Sequence, residues 1–177
     1  TADDSEIARN VGVDSAGNVV VSGSENGFAP GTRWVIRKYD ANGNLLWMRN
    51  YHSPGTASDN AYAMAVDLDG NILVGGDAQR YDLSQWCNWV LLKYDGEGNL
   101  LWSRTFNGAS NSLDGISGVT TDAAGNSIAV GIVNQGNWRI AKYDSMGNDV
   151  WANVVAVPWF GYNPVWGVAA DGTVAEG

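Results

Sequence analysis

Hydrophobic positions in this chain fall in short runs separated by glycine, asparagine and aspartate. In one stretch the runs are Tyr62–Asp67, Ile72–Gly76, Trp89–Tyr94 and Leu100–Phe106. Each is the length of a strand and too short for a globular helix. The first two are rich in small and β-branched residues, which predicts strands covered on both faces. No apolar run approaches the ~18 residues of a membrane-spanning helix.

The pattern repeats. Asp14-Ser-Ala-Gly17-Asn18 returns as Asp67-Leu-Asp-Gly70-Asn71 and Asp122-Ala-Ala-Gly125-Asn126, and in shortened form as Asp171-Gly172-Thr173. A second phrase interleaves with it: Trp34-x-Ile-x-Lys38-Tyr39-Asp40, Trp89-x-Leu-x-Lys93-Tyr94-Asp95 and Trp138-x-Ile-x-Lys142-Tyr143-Asp144. Each of these runs on to Gly-Asn and a further tryptophan, Trp47, Trp102 or Trp151. All three lysines of the chain occupy this one repeated position.

The Asp-x-x-Gly-Asn segments have the chemistry of hairpin turns. Aspartate accepts hydrogen bonds from the backbone two residues on, and glycine takes the left-handed position of a turn with a bulge. Each repeat has two such turns, joining strands one to two and three to four. Four strands in a period of about 50 residues is the pattern of a β-propeller blade. The phrases A-V-D-x-x-G-N and K-Y-D-x-x-G-N-x-x-W resemble the bacterial β-propeller repeat family of the SBBP type. The second is also similar to the tryptophan-docking motif of quinoprotein-type propellers. The resemblance implies an all-β fold, a β-propeller segment of four-stranded antiparallel blades, and leaves function open.

Blade boundaries are expected near residues 7–58, 59–113 and 114–163, with half a blade at 164–177. A ring needs about four to eight blades. Three and a half therefore belong to a longer propeller, pair with another chain, or form an open array with exposed blade faces that self-associate.

Glycine, at 23 of 177 residues, is about twice as frequent as usual, and there are nine tryptophans. That fits many turns between packed strands. A net charge of −9, with Lys and Arg scattered, opposes nucleic-acid binding. The acidic, lysine-poor composition points to an extracellular, cell-surface or periplasmic protein of a prokaryote. Cys87 is the one cysteine and His52 the one histidine, so neither an intrachain disulfide nor a multi-histidine metal site can form.

Most candidate chemistry reduces to structure. The repeated tryptophans fit packing between blades, and the lysines fit stems laid on apolar surface with a carboxylate partner. Asp67-Leu-Asp69 resembles the start of a calcium loop but lacks the distal carboxylate. Cys87 beside Trp86 reads as a small buried hydrophobe. A Ser-His-Asp triad would have to use His52. No nucleophile elbow, phosphate loop or zinc motif is present, and no cofactor or metal is expected.

One inference concerns place. The stereotyped turns lie at one end of the blades. Segments of varied length, including Ser24–Thr32, Asp77–Asn88, Asn107–Gly115 and Ala156–Asn163, lie at the other. Variable loops on a fixed scaffold are where binding concentrates. They carry aromatics the repeat does not require: Phe28, Tyr81, Trp86, Trp159, Phe160 and Tyr162. Of these, Tyr81, Trp86, Trp159, Phe160 and Tyr162 are the candidate partner-binding residues. A loop glycine such as Gly108 is expected to be freer than a turn glycine such as Gly98. The expected function is a non-enzymatic interaction module for a protein partner or a larger assembly. A glycan-binding propeller and the scaffold of a quinoprotein-like enzyme are the alternatives.

Overall fold

The computed structural model describes residues 6–26, 31–54, 58–80, 83–109, 111–134 and 136–157. Twelve strands form three four-stranded antiparallel sheets, each a meander in chain order. The first sheet holds β1 (Glu6–Val13), β2 (Val19–Asn26), β3 (Thr32–Tyr39) and β4 (Leu45–Tyr51). The second holds β5 (Asp59–Val66), β6 (Ile72–Arg80), β7 (Gln85–Tyr94) and β8 (Leu100–Phe106). The third holds β9 (Gly115–Thr121), β10 (Ser127–Val133), β11 (Asn137–Tyr143) and β12 (Asp149–Val155). There is no α-helix among the described residues. The all-β, four-strand reading of each repeat stands, and the described sheets do not close into a ring.

The six complete Asp-x-x-Gly-Asn turns share one hydrogen-bond plan. In the turn at Asp67, one carboxylate oxygen accepts from the backbone of Asp69 and Asn71, and the other accepts from the Asn71 amide side chain. The glycine stands at a φ of 80°, where a Cβ would be strained. Aspartate and asparagine thus rigidify the hairpin from within, and the repeat reuses that solution.

Consecutive sheets pack face to face. β5 lies against β1, β2 and β3, and β9 lies against β5, β6 and β7. Strand alternation then makes two core layers. Trp34 and Ile36 of β3 meet Val90, Leu92 and Tyr94 of β7 in the first layer. Trp89 and Leu91 of β7 meet Ile116, Val119 and Ala129 of the third sheet in the second. The middle sheet is therefore covered on both faces. Its second and third strands, β6 and β7, are the most deeply buried, whereas the first strand, β5, is buried only in part.

A bulge marks the first strand of every sheet, at Arg9, Tyr62 and Ser117. The facing strand carries glycine there: Gly23, Gly76 and Gly131. A Cβ on Gly76 would fall 1.9 Å from the Asn60 carbonyl oxygen. Glycine at this place in the second strand of each sheet is thus required by close approach of two backbones.

Candidate functional site

The described sheets have two chemically distinct ends. At the turn end, each repeat lysine reaches back to the aspartate that opens the first turn of its own sheet. Lys38 Nζ lies 2.9 Å from Asp14, Lys93 Nζ 3.0 Å from Asp67 and Lys142 Nζ 2.8 Å from Asp122. Two of the three also donate forward into the following sheet, Lys38 to the Gly96 carbonyl and Lys93 to the Gly125 carbonyl. The expected carboxylate pairing of these lysines holds.

The carboxyl groups respond accordingly. Burial opposes ionisation of Asp14, Asp67 and Asp122. Hydrogen bonds from the paired lysine and from the turn asparagine outweigh it, so all three lie below the ordinary carboxylate range, Asp122 at about 2.

The outer-strand tryptophans also dock forward. Trp47 Nε1 donates to the Gly96 carbonyl at 3.0 Å, and Trp102 Nε1 to the Ser145 carbonyl at 3.0 Å. The indoles cover Gly98 and Gly147, where a Cβ would fall 2.9 and 2.7 Å from the rings. Packing between sheets is therefore the role of Trp47 and Trp102. Trp151, expected to do the same, is 43% exposed.

At the opposite end the carboxylates have other partners. Asp59 is fully buried and accepts from the backbone N–H groups of Ser53 and Gln79. Asp114 is equally buried and accepts from those of Gly108 and Asn134. Each clamps the linker from the preceding sheet to the end of the second strand in its own. Neither clamp figured among the expectations from sequence. The signal was present as an aspartate eight positions before two of the first-turn aspartates, Asp59 before Asp67 and Asp114 before Asp122.

His52 Nδ1 lies 3.0 Å from Asp59, and the Ser53 hydroxyl lies 2.8 Å from the same carboxylate. Both groups address the carboxylate, which makes them part of the clamp. Gly108 is held in the second clamp, where a Cβ would fall 2.3 Å from the Asn134 side chain. It is not the free loop glycine the sequence suggested.

Asp77 and Cys87 complete this end. Asp77 accepts from the backbone and side chain of Asn60 and faces the Cys87 thiol. Burial raises the Asp77 carboxyl to about 6 against those hydrogen bonds. Burial, with the Asp77 charge, pushes the Cys87 thiol up to about 12. The reading of Cys87 as a buried, inert side chain agrees.

Of the candidate binding residues, Trp86 alone lies among the described residues; Tyr81, Trp159, Phe160 and Tyr162 lie outside them, as does Phe28. Trp86 belongs to β7, not to a loop, because β6 and β7 extend to Arg80 and from Gln85. Its side chain is 58% exposed, so it does not plug its own loop. Its backbone is fixed from both sides. β7 pairs with β6 at Gln85, and beyond its end it meets the linker to the third sheet. There Trp86 N–H donates to the Asn111 carbonyl and Asp114 N–H to the Cys87 carbonyl. Leu83, just before the strand, is also exposed.

Among the described residues, no cluster of histidine, cysteine, aspartate or glutamate could hold a metal ion. Nor, among those residues, is any helix long and apolar enough to cross a membrane. No known protein family matches the chain, and no curated protein matches it as a relative.

Proposed function

We propose that the chain is a segment of a β-propeller acting as a non-enzymatic interaction module outside the cytoplasm, and that it binds a protein partner at the variable-loop end. Meander blades stacked in chain order support the propeller reading, as does the resemblance to SBBP-type repeats. The observation that carries the binding site is Trp86. A large aromatic side chain stands in solvent on a strand held on one side by β6 and on the other by the linker to the third sheet. Such a residue offers apolar area at little ordering cost. The buried carboxylates at this end, Asp59, Asp77 and Asp114, are engaged in holding linkers and strands.

The test is binding by the immobilised chain from a cell-envelope extract, compared with Trp86→Ala. Partner affinity should fall by about 2 kcal/mol, roughly thirtyfold, while the melting curve is unchanged. Binding on a glycan array lost in Trp86→Ala would shift the reading to a lectin. Visible absorbance from a bound quinone would shift it to an enzyme scaffold.

A further inference from the structure

The two outer faces of the described stack carry complementary parts of the contact that joins its sheets. The turn of Asp95 to Asn99 receives Trp47, and the turn of Asp144 to Asn148 receives Trp102. The first sheet carries the same turn at Asp40 to Asn44, with the same internal hydrogen bonds. Gly43 stands at a φ of 84°, matching Gly98 and Gly147 at 83°. Yet a Cβ on Gly43 would meet nothing within 4 Å. Among the described residues this is a docking turn without an indole, and the third sheet presents the converse, an indole without a turn.

Around Trp151 the rest of the donor face is also uncovered. The Lys142–Asp122 side chains are 25% and 27% exposed, against 2% each for Lys93–Asp67. The first sheet matches this with exposed Val11 and Val13 on the side away from the second sheet.

We propose that the occupant of the Trp151 face is the first sheet of a second copy of this chain. Trp151 docks on the Asp40–Asn44 turn, with Nε1 donating to the Ala41 carbonyl. The argument is continuity with an established interface: the same residues form it twice within one chain. The contact is head-to-tail, so it closes into a ring if the rotation permits and otherwise grows open. It uses the end faces and stands or falls separately from partner binding through Trp86.

Light scattering on the 177-residue chain at tens of micromolar tests it. Assemblies of two or more copies are expected. Trp151→Ala removes the donor indole. Gly43→Asn keeps a residue that tolerates the left-handed region but sets a Cβ where the indole must lie. Each should weaken association by roughly thirtyfold with an unchanged circular dichroism spectrum. An equimolar mixture of the two variants should regain pairwise association, because one retains the turn and the other the indole. Asn153→Arg supplies the side chain that Arg49 stacks over Trp47 and should tighten assembly. A monomeric wild type, variants that assemble like the wild type, or a mixture that stays apart would each overturn the proposal.

Discussion

Aspartates at the two ends of the same strands meet opposite electrostatic fates. At the turn end, Asp67 is buried but paired with Lys93 and with the turn asparagine, and its carboxyl is held low. At the variable-loop end, Asp77 is buried with amide and thiol neighbours, and burial holds its carboxyl high. Asp114 is raised for the same first reason, against hydrogen bonds from Gly108 and Asn134. Burial alone does not decide the state of a carboxylate; the partner does. The repeat supplies a lysine to one end in every copy. The other end has no repeated lysine and relies on backbone N–H groups with a few side-chain donors, Ser53, His52 and Asn60.

The largest effect that would break this contrast lies at Lys93. Removing it in Lys93→Ala leaves Asp67 buried without its cation, which costs about 3–5 kcal/mol. Lys142→Ala breaks the same pair where solvent reaches it and should cost no more than about 1 kcal/mol. Urea unfolding of both variants measures the difference. Equal losses would mean that the forward contact of Lys93 with the third sheet carries no weight.

Asp77→Asn sharpens the contrast through pH. The folded Asp77 holds its proton to about pH 6, whereas in the unfolded chain it loses it near 4. Between those values the native state binds more protons, so this group lowers stability as pH rises from about 4 to about 6. The lowered turn aspartates act in the other window, losing their contribution as pH falls below about 4. Asp77→Asn should flatten the slope between pH 4 and 6, leaving the share that the raised Asp114 supplies, and raise stability at pH 7.5 by about 2–3 kcal/mol. Thermal melts across that range give the result. An unchanged slope would place the titrating group elsewhere.

The smallest effect compares glycines with one backbone and two surroundings. Valine at Gly43 or at Gly98 loses about 1–2 kcal/mol to the left-handed conformation. At Gly98 the added side chain also strikes Trp47, so Gly98→Val should unfold at lower urea than Gly43→Val. Identical midpoints would mean that Trp47 does not sit on its turn in solution.

The repeat made the strand number, both turns and the roles of Lys38, Lys93, Trp47 and Trp102 readable from the sequence, because each is a local phrase whose partners are other copies of itself. Strand ends were less legible. Asp77, Gln79 and Asn88 interrupt the apolar pattern of β6 and β7, yet their backbones remain in the ladder, and their side chains bond within the same sheet and its entering linker, to Asn60, Ser58 and Gln85. The clamps at Asp59 and Asp114 escaped for a related reason. Their partners are N–H groups of linkers, and a backbone donor leaves no mark on residue type. The aromatics of the variable loops, apart from Trp86, fall outside the described residues.

The forward reach of Trp47 and Trp102 extends across one repeat boundary, as do the principal contacts between sheets. In thermodynamic terms the chain is a short one-dimensional lattice in which each repeat feels only its nearest neighbours. Among the described sheets the middle one has two neighbours and each outer one has one. Opening therefore proceeds inward from the ends, and cooperativity of unfolding becomes a property of how many repeats are joined.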